Sequence, residues 1–222
     1  MIMRAQKKKK YYYLQLQTLQ EIKGFESKPS LLMHVCCGVC ASYVALYLSE
    51  YFNLTLYYNN DNIYPEEEYN RRYQELVRLI DEYNSSYKTD IRIIRTEYDG
   101  INYQKRLEPL AEEPEKGKRC LLCYTLRMKQ AMQYASDNNF DYFTTVMTIS
   151  RQKDSEVLNK VGERLALLFP KVKYFYSDFK KDNGLLKTAQ FSNKYDLYRQ
   201  QYCGCYYSYN DYLLRKERKN EQ

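Results

Sequence analysis

A short apolar run at 31–35 (LLMHV) follows Lys28-Pro29 and leads almost directly into a stretch at 41–52. There Val44, Leu46, Tyr47, Leu48 and Tyr51 recur at helical spacing. A buried strand passing into a helix is the unit from which parallel sheets are built, and this chain repeats it. A second strand is read at 54–58 (LTLYY). The segment YPEEEYNRRYQELVRLIDEY then opens on Pro65 with acidic residues in its first turn, both favourable at a helix N-terminus. A third strand is read at 91–95 (IRIIR), followed by a helix-rich stretch from about 102 to 139, broken near EEPEKGK. FDYFTTVMTI reads as a strand, SEVLNKVGERLALLF as a helix and VKYFYS as another strand. Strands alternating with helices predict an α/β fold with a mainly parallel sheet. After Asp178 the chain reads as irregular and basic.

The 222 residues suit one α/β domain. We expect it at 26–208 as the catalytic domain, with a basic N-terminal arm or helix at 1–25 and a basic C-terminal tail at 209–222. The net charge of +7 gathers at the ends: Arg4 and the lysines at 7–10, then Arg215, Lys216, Arg218 and Lys219. Such ends suit counter-ion-releasing contact with phosphates; solvated, frayed ends are the plainer alternative. The 27 tyrosines with no tryptophan reflect compositional bias and core edges, with base stacking open to a minority. The first residues are basic and polar, without the apolar region of a signal peptide. No run approaches the ~18 apolar residues of a membrane span. The expectation is a cytoplasmic protein that does not engage a membrane, in a compartment where disulfides are rare.

All seven cysteines stand in three groups: Cys36, Cys37 and Cys40 in HVCCGVC, Cys120 and Cys123 in CLLC, and Cys203 and Cys205 in YCGC. In open parallel sheets ligands bind outside the carboxyl ends of the strands. Cys36 and Cys37 fall at such an end, and Cys40 lies about a turn into the next helix, whose N-terminus favours thiolates. A lone C-x-x-C fits a redox dithiol, half a zinc site or chance. Structural zinc takes four closed ligands and an iron–sulfur cluster commonly four thiolates, so seven exceed either alone. Spacing ranks an iron–sulfur centre first, zinc second and unrelated core or redox cysteines third. His34, the single histidine, reads as a satisfied core residue or as a donor to a sulfur or a substrate. No glycine-rich nucleotide motif is present.

Several polar residues stand beside these groups. Tyr124 and Arg127 follow Cys123, with Arg127 four residues on and able to face the same pocket. Asn60 and Asn62 follow a strand end, where their amides either read a base or shape a turn. Lys153 follows another strand end, placed to meet a phosphate. Arg199 and Tyr202 precede the last cysteine pair, in either packing or substrate contact.

The ordered stretches LLMHVCCGVCASYVALYLSEYFNLTLYYNNDNIYPEEEYNRR, EEPEKGKRCLLCYTLRM, FDYFTTVMTIS, SDFKKDNG and YDLYRQQYCGCYYS together closely resemble the cobalamin-independent epoxyqueuosine reductases, over roughly residues 10–208. The resemblance implies a Rossmann-like, nucleotide-hydrolase-type α/β sandwich that acts on tRNA. Its reaction removes the epoxide oxygen of epoxyqueuosine at the wobble position of the anticodon. It also implies a [4Fe-4S] cluster with an additional mononuclear iron, and the family's cysteines carry over to all seven positions. We expect Cys37, Cys40, Cys120 and Cys123 to hold the cluster, leaving Cys36, Cys203 and Cys205 for the second iron as the catalytic set. Asn60, Asn62, Tyr124, Arg127, Lys153 and Arg199 are the substrate-binding candidates. The electrons require an external donor such as ferredoxin or flavodoxin. Two departures stand near the site: Gly38-Val39 replaces the usual Ala-Pro, and Ser150-Arg151 the usual Ser-Pro.

Overall fold

The computed structural model describes residues 10–220. Of the basic N-terminal residues, Arg4 and the lysines at 7–9 lie outside this range. The first helix, α1 (Lys10–Ile22), precedes β1 (Ser30–His34), α2 (Gly38–Ser49), β2 (Asn53–Tyr58), α3 (Glu66–Ser86) and β3 (Arg92–Arg95). Then come α4 (Gly100–Leu107), α5 (Lys118–Asp137), β4 (Tyr142–Thr145), α6 (Ser155–Leu168), β5 (Lys173–Tyr174), α7 (Gly184–Lys194) and α8 (Tyr206–Asn220). The five strands form one sheet in the order β3-β2-β1-β4-β5, and every pairing is parallel. This is the Rossmann-like α/β arrangement that the sequence predicts.

The alternation of side chains along β1 explains the two layers. Leu31 and Met33 point into a cluster with Val44 and Leu48 of α2, Leu76 and Ile80 of α3, and Leu19 and Ile22 of α1. Leu32 points the other way, towards Met128 and Met132 of α5 and Leu158 and Leu165 of α6. A central strand buried on both faces reads as a continuous apolar run, which is what LLMHV is. At about 25 cal/mol per Å² of apolar surface buried, these two clusters supply the main driving force for the fold.

Three expectations are corrected. FDYFTTVMTI is a strand only over Tyr142–Thr145: the Thr145 hydroxyl accepts the Met147 N–H at 3.2 Å, turning Val146–Ile149 into a 3₁₀ turn. VKYFYS pairs as a strand only at Lys173–Tyr174. The region after Asp178 is not irregular, since α7 packs on α2 there, with Phe191 against Tyr43. Its first position is Gly184, where a side chain would collide with the Phe179 carbonyl, a constraint invisible to periodicity.

Candidate metal centre

The sheet changes winding direction between β1 and β4, and the carboxyl ends of these two strands are where an open α/β sheet binds its ligand. β1 ends at His34, so the chain places Cys36 and Cys37 at that crevice. Cys37 is extended and caps α2, its sulfur accepting the Cys40 N–H at 3.5 Å. The first turn of α2 swings Cys40 back, and the three sulfurs lie within 4.8 Å of one another. Hydrogen bonding from Cys37 and Cys40, aided by the Lys153 charge, holds the Cys36 thiol well below its usual range. The reciprocal bond pushes Cys37 up to about 12. A thiolate held by two thiols, at a helix N-terminus, is a donor set suited to a metal.

The other groups come from distant parts of the chain. Cys120 and Cys123 sit in the opening turns of α5, where the Lys116 N–H donates to Cys120 Sγ at 3.2 Å. Tyr103 donates its hydroxyl to the Cys123 carbonyl at 2.9 Å. Cys203-Gly204-Cys205 runs across the site just before α8 and is fastened at each residue. Arg72 of α3, 1 % exposed, donates to the Cys203 carbonyl at 3.1 Å and the Tyr202 carbonyl at 3.3 Å. The Tyr64 N–H donates to the Gly204 carbonyl at 2.7 Å. Gly204 has φ +134, a conformation L side chains rarely adopt, and a Cβ there would stand 3.0 Å from Arg72. Cys205 Sγ accepts the Ser208 N–H at 3.5 Å. Cys120 and Cys205 each lie within electrostatic reach of Cys123 and Cys203, and all seven cysteines are free thiols.

A cavity of about 320 Å³ opens beside the first and last of these groups, lined by Cys36, Cys40, Cys203, Lys153, Tyr202 and Arg215 together with the carboxylates of Glu115 and Asp211. Lys153 reaches it from the segment after β4, its Nζ 3.7 Å from Cys203 Sγ and 6.0 Å from the ring centre of Tyr124. Burial opposes its charge, but the Cys203 and Cys36 sulfurs outweigh this and its pKa lies above the ordinary lysine value. Arg127 lies behind, buried, donating to Asn60 Oδ1 at 3.3 Å and Met147 Sδ at 3.1 Å. Asn60 also donates to the Val35 carbonyl at 2.8 Å, so its amide is engaged at both ends. Asn62 packs beside Gly204 and Cys205, its amide oxygen without a partner among the described residues. Arg199 stands apart: exposed, bonded to Asn193 at 2.9 Å, it lines a neighbouring cavity that shares Cys40 with the first. His34 is fully buried, bonded to Thr145 Oγ1 at 2.9 Å. Burial and the Arg127 charge lower its pKa to about 3, so it is neutral.

Sequence reasoning missed Arg72, and Gln200, whose Nε2 donates to Cys37 Sγ at 3.2 Å. Glu68 and Arg72 carried one signal, an opposite-charge pair four apart on a helix; their paired burial at 2.7 Å depends on a segment 130 residues away. Gln200 carried none beyond its closeness to Cys203.

Comparison with known proteins shows the family. The family model described as epoxyqueuosine reductase QueH matches residues 31–211, which include every cysteine. The epoxyqueuosine reductase QueH of Streptococcus pyogenes serotype M1 is 37% identical over 194 residues, 87% of this chain and 76% of that protein. Those of Staphylococcus epidermidis and Acinetobacter baylyi are 32% and 33% identical, covering 82% and 86% of this chain and 76% and 85% of theirs. This chain belongs to the epoxyqueuosine reductase QueH family.

Proposed function

We propose that this protein removes the epoxide oxygen of epoxyqueuosine in tRNA, using a [4Fe-4S] cluster and an adjacent iron held by its seven cysteines. The observation that supports this reading is the convergence of Cys36, Cys40 and Cys203, from the first and last cysteine groups, on one cavity at the sheet's switch point, with Cys120 of the middle group within electrostatic reach of Cys203. The donor set fits such a centre: free thiols, two groups at helix starts, and no disulfide consuming any of them. Reducing an epoxide to an alkene takes two electrons and two protons and releases water. When bound, a thiolate-held cluster would supply electrons singly, and an iron with an open position would act as a Lewis acid on the epoxide oxygen. The protein's part is to bind, orient and shield. Lys153 and Arg215 stand in the cavity wall beside Glu115 and Asp211, and are the two cations placed there to meet the phosphates next to the modified nucleotide. Tyr124, Arg127 and Asn60 form the packed layer behind that wall and hold its shape. Asn62 and Arg199 border the site on either side, as further contacts for the anticodon loop. The donor of electrons is an external carrier such as ferredoxin or flavodoxin, in the cytoplasm, where thiols stay reduced.

The division of ligands is part of the proposal: Cys37, Cys40, Cys120 and Cys123 for the cluster, Cys36, Cys203 and Cys205 for the second iron. Protein prepared without oxygen should be brown, hold more than four irons per chain (one cluster alone takes about four) and convert epoxyqueuosine tRNA. Stoichiometric zinc without sulfide would overturn the cluster, and a loaded protein that leaves the tRNA unchanged would overturn the reaction. Cys203→Ser with Cys205→Ser should keep the cluster spectrum and lose both the extra iron and turnover. Cys120→Ser with Cys123→Ser should lose the cluster itself, and the reverse pattern would refute the division.

A further inference from the structure

Arg127 breaks a rule that Arg72 keeps. It also lacks the substitutes that Arg119 has, a buried arginine without a carboxylate that donates to the Leu110 and Ala111 carbonyls and lies over the Tyr207 ring. A buried charge is costly unless an opposite charge accompanies it. Arg72, buried to a similar degree, obeys with Glu68 at 2.7 Å. Arg127 is 3 % exposed, yet no carboxylate pairs with it among the described residues. Among the described residues its guanidinium touches only the Asn60 amide oxygen and the Met147 sulfur, and its Nε has no partner. Lys153, its cationic neighbour at the cavity wall, likewise lacks a carboxylate among the described residues; its one close partner is Cys203 Sγ at 3.7 Å. His34, packed in the same place, is neutral and adds no charge. The groups around Arg127 that can carry negative charge are sulfurs and a phenol: Cys123, Tyr103, Cys36 and Cys203.

We propose that Arg127 and Lys153 are the fixed counter-ions of the cysteine centre, two cations folded into its walls to balance the net negative charge of metal-bound thiolates. This rests on the reading that the cysteines hold a metal. Four thiolates around a doubly charged cluster leave about two negative charges, and three around a doubly charged iron about one more, most of which the two cations offset. They therefore favour loading, since a thiol site that takes up metal becomes more negative. They also favour reduction of the loaded centre, since each added electron brings further negative charge towards them. Charge and hydrogen bonding around cluster sulfurs are established levers on potential.

The test removes charge while sparing shape, in full-length protein loaded without oxygen. Arg127→Gln and Lys153→Met should each move the midpoint potential of the cluster, followed by its absorption spectrum, to more negative values. Arg127→Lys and Lys153→Arg, which keep the charge, should stay near the native value. Anaerobic cobalt(II) titration of the metal-free protein, read from the thiolate-to-cobalt absorption, gives a second measure that needs no cluster. Affinity should fall by about 10–100-fold in the uncharged variants and recover in the charged ones. Lys153 stands at the cavity wall, so its variants report even if replacing Arg127 prevents folding. Equal shifts for charged and uncharged replacements, or no shift in either measure, overturn the assignment. Failure of the reductase reading looks different: a protein that assembles no cluster but still shows the charge-dependent cobalt affinity loses its proposed reaction and keeps its counter-ions.

Discussion

Arg72 shows how one side chain can tie a metal site to the scaffold. Its Nε is spent on Glu68, whose other contact is the Tyr198 hydroxyl at 3.0 Å, while its two terminal nitrogens hold the carbonyls of Tyr202 and Cys203. The ion pair fixes the guanidinium, and the guanidinium fixes the segment carrying the last two cysteines. Replacing Arg72 by Met strands a buried carboxylate and should cost about 3–5 kcal/mol in urea unfolding, the usual result of breaking a buried pair from one side. Adding Glu68→Gln should return much of that stability without restoring the bonds to Cys203. The double variant is therefore expected to fold and to bind less metal than the native protein. If it carries the full complement, Arg72 serves packing alone. Of this arrangement only the helical spacing of Glu68 and Arg72 was legible in the sequence. The bond to Cys203 joins segments far apart in the chain, and no local pattern encodes it.

At the level of elements, the two ends of the chain do different work. α1 is a folded part of the structure: Leu19 and Ile22 enter the main apolar cluster and Gln15 accepts the Asp178 N–H at 3.0 Å. Removing residues 1–9 leaves those contacts in place. It should weaken tRNA binding and flatten its salt dependence, with no change in thermal midpoint. Extending the deletion through Ile22 removes two buried aliphatic side chains worth about 1.5–3 kcal/mol each, and should lower stability by several kcal/mol. Equal stability of the two truncations would show that α1 contributes little to the core; an unchanged salt slope would return the basic residues to solvent-facing ends. The sequence told β1, α2, β2, α3 and α6 plainly, because their apolar residues follow a strand or helix period. It overstated β4 and β5, whose flanking residues are buried for reasons other than strand pairing. It missed α7, which begins at a glycine chosen by contact with Phe179 rather than by any helix-start signal.

For the whole molecule, the repeated strand–helix unit nearly dictates the architecture, since parallel strands need crossovers and these are right-handed. That rule alone puts the first cysteine group at a strand's carboxyl end. It does not specify the neighbour of β1 on its far side. The neighbour is β4, and this pairing brings Lys153 to the crevice opposite Cys36. The three cysteine groups are joined by no disulfide, so in the metal-free protein they are held together only by contacts such as those of Arg72 and Tyr64. A metal bound to the native arrangement and not to the unfolded chain adds stability by mass action, about 4 kcal/mol at a thousandfold excess over its dissociation constant. For a chain of this size each kcal/mol is about 2–4 °C. Stripping the centre with a chelator under anaerobic conditions should thus lower the melting temperature by about 10 °C. Hydrogen exchange should reveal where the loss begins: residues 200–205 and α8 are expected to lose protection first, while β1, β2 and β4 keep theirs, because the sheet is held by its own apolar clusters. A melting temperature insensitive to chelation, or a loss spread evenly over sheet and C-terminal segment, would mean that the three cysteine groups do not share one centre.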